Sequence, residues 1–212
     1  MKPVLYDYWR SSASYRLRIT LNLLGIAFET VPVDLLKKEN LDAAHISRNP
    51  QGLVPALEID GQMFTQSLAI IEYLNETRAG SLMPSTALER ARVHALSYII
   101  AMEIHPVCNT SVVADVMQRT GGGDAVRIEW MQHYIRKGLA AFEARLGDGQ
   151  SGRFCHGDAP TMADICLIPQ LYNANRWGAE TADLTRINAI AENCASLDAF
   201  AAAHPDQVAP PE

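Results

Sequence analysis

The hydrophobic periodicity of this 212-residue chain changes once, and that change limits the folds open to it. Up to residue 77, strand-length apolar runs alternate with stretches of helical period. Beyond a break at 78–85, only helical period remains. PVLYDY, residues 3–8, reads as a strand. Residues 14–24 predict a helix with Leu17, Leu21 and Leu24 on one stripe and Gly25 as its stop. Residues 28–33 predict a second strand and 40–47 a short helix. Ala56–Ile59 and residues 63–65 flank a hairpin turn at Asp60 and Gly61. Ser67 then caps a helix with Leu68, Ile71 and Leu74 inward. The order is β-α-β-α-β-β-α.

RAGSLMPS, residues 78–85, has linker composition. Long helical patterns follow over 88–117 and 124–146, separated by the glycines at 121–123. After the loop 147–160, Thr161 opens another helix, and Asp164 can reach back to it in a capping box. Shorter helices run to about residue 203, and the PPE tail is expected to be disordered. The expected organisation is an α/β domain at 1–77, a linker at 78–85 and an all-α domain at 86–212.

A formal charge of −6 argues against a nucleic-acid partner, which requires a basic face. Fourteen Arg stand against four Lys. Arg is the better fork for carboxylates, which suits an acidic small molecule, although a biased genome composition gives the same excess. The four cysteines, at 108, 155, 166 and 194, show no CxxC pair, and with the scattered histidines they form no metal-ligand cluster. No apolar signal core opens the chain, and no window has the apolar length of a membrane span. The expectation is a reduced, cytoplasmic protein without metal or membrane partner.

RSSASYRLR, residues 10–18, puts three serines and an arginine at one strand-to-helix turn. A helix N-terminus exposes unpaired N–H groups and the positive end of the dipole, so this turn suits a phosphate, carboxylate or thiolate. Phosphate loops are normally glycine-rich, and this turn has no glycine. Plain capping by Ser12 or Ser14 is the alternative. Val54-Pro55, just before a strand, predicts a turn or cis bond that leaves the peptide groups of Val54 ready to pair with a peptide-like ligand. Gln66-Ser67 opens another helix, with a second serine suited to a carboxylate. Two such N-termini and a strand edge describe a site for a small peptide carrying a thiol and a carboxylate, namely glutathione.

On these residues the chain resembles the glutathione transferases, which join a thioredoxin-like α/β domain to an all-helical one. SSASYRLRI is similar to the zeta-class signature Ser-Ser-Cys-x-Trp-Arg-Val-Arg. NPQGLVPAL, QSLAIIEYL, HPVCNTSV, GDAPTMADICLIPQ and NANRW extend the likeness over nearly the whole chain. Ala13 stands where the class has Cys and Tyr15 where it has Trp. Without that cysteine, the chemistry would use the glutathione thiol.

The resemblance implies roles. Ser11 would hydrogen-bond the glutathione sulfur, with Ser12 as the alternative, while Ser12 and Ala13 would add backbone N–H groups. Val54 would pair with the cysteinyl backbone, and Gln66 and Ser67 would hold the γ-glutamyl end. Lys38 would reach the glycine carboxylate. His105, Asn109, Thr110 and Ser111 would complete the site, with His105 and Asn109 one helical turn apart. Arg10 and Arg176 would bind a dicarboxylate substrate and stabilise its transition state. The implied reaction is cis–trans isomerisation of a maleyl keto-diacid. Thiolate adds to the activated alkene, the resulting single bond rotates, and expulsion of the thiolate leaves the trans isomer. Maleylpyruvate, converted to fumarylpyruvate in gentisate breakdown, is preferred over maleylacetoacetate of tyrosine breakdown. A detoxifying transferase and a non-catalytic binding module are the rivals. A homodimer is also implied.

Overall fold

The computed structural model describes residues 2–78 and 80–210. Ala79 of the linker and the last two residues of the expected disordered tail lie outside the described residues. The chain forms two compact units. One runs to residue 81 and includes the segment from 195 onward; the other spans 82–194.

The first unit is built on four strands: β1 (Val4–Asp7), β2 (Glu29–Pro32), β3 (Ala56–Ile59) and β4 (Gln62–Thr65). Their spatial order is β2-β1-β3-β4. β1 and β2 run parallel, and such a pair needs a crossover, supplied here by α1 (Ser12–Leu23). β3 lies antiparallel to β1 and to β4. β2 is an exposed edge that ends on Pro32, which helps to blunt it. A 3₁₀ turn over Glu39–Leu41 and the short α2 (Ala43–Ile46) stand where one helix over 40–47 is expected. After β4 comes α3 (Ser67–Thr77), which packs against α1. Leu5, Leu57, Leu17, Ile19, Leu21, Ile70, Ile71 and Leu74 are the buried centre. Ile70 takes the inward place expected of Leu68, which is only half-buried.

α1 is covered on more than one side. Residues 14–21 are all buried, including Arg16 and Arg18 at 2% exposure each. The second cover is the end of the chain. Arg18 Nε donates to the Ala203 carbonyl at 3.0 Å and Asn22 Nδ2 to the Ala199 carbonyl at 3.1 Å. Arg18 Nη1 meets both Asp7 oxygens at 2.8 Å, and Nη2 reaches the Trp9 carbonyl at 2.8 Å. A buried pair satisfied in this way costs about 3–5 kcal/mol to break from one side. The sequence reading counts the residues after 195 with the helical domain, yet they pack on α1.

The second unit is helical: α4 (Ala87–Tyr98), α5 (His105–Val107), α6 (Thr110–Thr120), α7 (Asp124–Arg145), α8 (Met162–Trp177) and α9 (Thr185–Ala195). The short α10 (Asp198–Ala201) and α11 (Pro205–Val208) belong to the first unit and carry helix past residue 203. The single helix expected over 88–117 is broken. Ile99–Ile104 forms a π-helical segment. Pro106 has no N–H to give, and its ring crowds the carbonyl four residues back; a wider turn accommodates it. α7 lies close against that segment through Gly138, where any Cβ would collide with the Ile104 side chain. Asn109 is the N-cap of α6, so His105 and Asn109 do not share one face of one helix.

The capping box of α8 is present: Asp164 Oδ2 accepts from the Thr161 N–H at 2.8 Å and from its hydroxyl at 2.9 Å. Oδ1 accepts the Cys155 N–H at 2.8 Å, which pins the preceding loop to the helix. Arg92 of α4 holds the same loop from its other end, through Asp148 and the Cys155 carbonyl.

Candidate active site

β1 stops at Asp7 and α1 begins at Ser12, so residues 8–11 must turn. The Ser11 N–H closes that turn on the Tyr8 carbonyl at 2.8 Å. Ser11 Oγ accepts the Ser14 N–H at 3.3 Å, which makes Ser11 the cap, rather than Ser12 or Ser14. Ser14 is buried, and its own Oγ accepts the Tyr8 N–H at 3.5 Å. The Ser14 N–H occupies one lone pair of Ser11 Oγ, and the hydroxyl keeps its O–H as a donor. Ser12 and Ala13 hold the first helical positions, where N–H groups face out of the positive end of the helix.

Strand register brings the other candidates alongside. Tyr6 pairs with Ala56, and Ala56 pairs with Thr65. Two residues beyond this end of the ladder come Tyr8 of the serine turn after β1, Val54 before β3, and Ser67 at the start of α3 after β4. The ladder ends at Ala56, so the peptide groups of Val54 stand beyond it. The Val54–Pro55 bond is cis. The loop behind Val54 is braced. His45 Nε2 and Asn49 Nδ2, both from buried residues, donate to the Leu53 carbonyl at 2.9 and 2.8 Å. Asn40 holds the Gly52 carbonyl at 2.7 Å. Gln66 has φ of +68°, a strained conformation for a residue with a side chain, and its Nε2 donates to Gln51 Oε1 at 2.7 Å. Ser67 is buried and its Oγ accepts from Arg16 Nη1 at 3.2 Å.

Two expected contributors stand in a different posture. Arg10 folds back on its own turn, with Nη2 on the Tyr8 hydroxyl at 2.9 Å and the guanidinium 4.7 Å from the Trp9 ring centre. Lys38 is exposed, at φ +61°, just ahead of the 3₁₀ turn.

Two family models match the chain: the glutathione S-transferase N-terminal domain over residues 1–76 and the C-terminal domain over 124–203. The chain belongs to the glutathione S-transferase family. Among its relatives, a maleylacetoacetate isomerase of Rhizobium meliloti (strain 1021) is 60% identical over 99% of both chains. A maleylpyruvate isomerase of a Ralstonia species is 42% identical over 95% of this chain and 96% of that one. A solved structure of a bacterial zeta-class maleylpyruvate isomerase superposes with a TM-score of 0.95 at 39% identity, covering 99% of this chain and 100% of that one. This transferase is of that zeta class.

In the transferase, Ser11, Ser12, Ala13, Val54, Gln66 and Ser67 all belong to the first unit. The remaining candidates lie on the second. His105 is half-buried in α5. Asn109 Oδ1 caps α6 by accepting from the N–H and hydroxyl of Ser111, and Thr110 and Ser111 are exposed. Arg176 is exposed in the last turn of α8, its guanidinium 5.5 Å from the Trp177 ring centre. Burial pushes the Cys108 thiol up to about 12. It also raises Cys155 and Cys194, helped by the nearby Asp164 charge. None of these three is a thiolate at neutral pH, and Ala13 removes a thiol from the serine turn. Among the described residues no cluster of three or more His, Cys, Asp or Glu could hold a metal, and no helix is long and apolar enough to cross a membrane.

Sequence reasoning missed Arg16, His45 and Asn49, which brace the site from behind. Their signal is faint: two arginines alternate with apolar residues in YRLRI, where a surface helix would keep both on its wet face.

Proposed function

We propose that this transferase is a glutathione-dependent cis–trans isomerase of a maleyl keto-diacid. The observation that carries the reading is the Ser11 oxygen, fixed as the cap of α1 by the Ser14 N–H, on a chain 60% identical to a maleylacetoacetate isomerase. The residues of the first unit fit glutathione. Ser11 and the first turn of α1 stabilise a thiolate, Val54 offers an unladdered peptide edge, and Ser67 at the start of α3 suits a carboxylate. When bound, glutathione supplies the thiol whose reversible addition to the activated alkene permits rotation, and it is returned unchanged.

The chain's own residues have three tasks. Ser11 and the α1 dipole lower the thiol pKa by favouring its charged form. Val54, Gln66 and Ser67 orient the peptide, with Ser12 and Ala13 contributing N–H groups. Arg176 holds the distal carboxylate of the substrate, and Arg10, released from Tyr8, meets the charge that develops beside the thiol turn. Lys38, His105, Asn109, Thr110 and Ser111 are assigned supporting contacts. In this scheme residues 1–77 form the glutathione-binding domain and the helical part supplies the second-substrate residues. The protein works as a homodimer; Leu88, Met102 and Val112, at 79%, 55% and 40% exposure, offer apolar surface for a partner copy.

Two substrates fit. The 42% identical maleylpyruvate isomerase and the fold match of 0.95 favour maleylpyruvate, whereas the 60% identical relative favours maleylacetoacetate. The test is the rate of isomerisation of each acid, by absorbance, with and without glutathione. The proposal expects turnover of at least one acid that stops when glutathione is left out. Turnover of neither, with conjugation of simple electrophiles instead, would overturn it.

A further inference from the structure

Arg16 projects from the body of α1 toward the first residue of α3. It is 2% exposed, and its Nη1 donates to Ser67 Oγ at 3.2 Å. A guanidinium carries five N–H donors, no acceptor and a permanent charge. The Ser67 oxygen therefore spends a lone pair on a cation, and its proton must be aimed elsewhere. A hydroxyl polarised in this way is also a stronger donor, because hydrogen bonds in a chain reinforce one another. An anion at Ser67 would meet this proton, the open N–H groups of α3 and, one hydroxyl behind, a full positive charge.

We infer that Arg16 is a positioning residue for the free α-carboxylate at the γ-glutamyl end of glutathione, acting through Ser67. The inference rests on the proposed glutathione site and deepens it. Its geometric consequence is that one helix serves both ends of the cofactor. The N-terminus of α1 carries Ser11 for the sulfur, and Arg16, five residues on, braces the serine assigned to the carboxylate. The spacing between thiolate and carboxylate subsites is then set largely by one rigid element, which favours a single productive pose.

A merely structural Arg16 would, on substitution, weaken every ligand alike. A positioning Arg16 loses what depends on the carboxylate. The experiment compares glutathione with γ-aminobutyryl-cysteinylglycine, which lacks only that carboxylate, by calorimetry on wild type, Arg16→Met, Arg16→Lys and Ser67→Ala. Melting curves check that each variant is folded. Wild type should prefer glutathione by about tenfold or more, the size of one charge-assisted hydrogen bond. Arg16→Met and Ser67→Ala should bind the two peptides nearly equally, and Arg16→Lys should keep part of the preference. If Arg16→Met does not fold, Arg16→Lys carries the test, and undiminished preference in it would overturn the inference. Equal weakening of both peptides by Arg16→Met would also overturn it. Wild type that binds neither peptide would sink the glutathione reading itself.

Discussion

Ser11 accepts from the Ser14 N–H, and in the proposed site the same hydroxyl donates its proton to the thiolate. Loss of a hydrogen bond to a charged group costs about 1.5–3 kcal/mol, so Ser11→Ala should slow turnover by about tenfold to a hundredfold. The same change also removes a cap, worth about 1 kcal/mol of stability. Ser11→Gly separates the two, because glycine caps almost as well and has no hydroxyl. It should lose the activity and keep most of the melting temperature. Near-normal kinetics in Ser11→Gly would move the thiolate contact to Ser12. Arg176 makes a second test at this scale. Arg176→Ala should raise the Michaelis constant for the diacid by about tenfold or more and leave glutathione affinity nearly unchanged. Arg176→Lys should recover only part, since a point charge does not replace a fork. An equal loss of glutathione affinity in calorimetry would assign Arg176 to the cofactor.

Among the elements, the loop 147–160 and helix α8 stand or fall together through Asp164. Burial pushes its carboxyl up, while bonds from Cys155 and Thr161 pull it back down. Asp164→Ala would strand three buried donors, each costing about 1–3 kcal/mol, so the melting temperature should fall markedly. Retained stability with lost turnover would contradict this structural role. The sequence shows this element plainly, because a capping box is a local signal four residues long. It shows the succession of strands and helices along the first unit and the serine turn for the same reason. The π-helical segment is harder to read. Its cause, Pro106, is visible, but apolar spacing over 88–117 looks continuous, and a periodic pattern does not record a turn widened by one residue.

At the scale of the whole molecule, sequence pattern is weakest where contacts are distant in the chain. Nothing local marks residues 195–208 as cover for α1; that follows from Arg18 reaching Ala203, 185 positions away. Buried arginines are missed likewise, since a charge is ordinarily read as surface and its partners cannot be seen. Assembly belongs to this scale too. Sedimentation at micromolar concentration should show a dimer, and a monomer would contradict the proposed pairing through the apolar positions of α4 to α6. The most direct test of the account counts thiol through many turnovers. Wild-type protein is given its diacid in large excess over glutathione, and free thiol is titrated as the substrate is converted. Complete conversion to the trans acid, with the thiol undiminished, is the expected result. Glutathione consumed in step with substrate, or conversion at full rate without it, would contradict the claim that a protein-bound thiol is a recycled nucleophile.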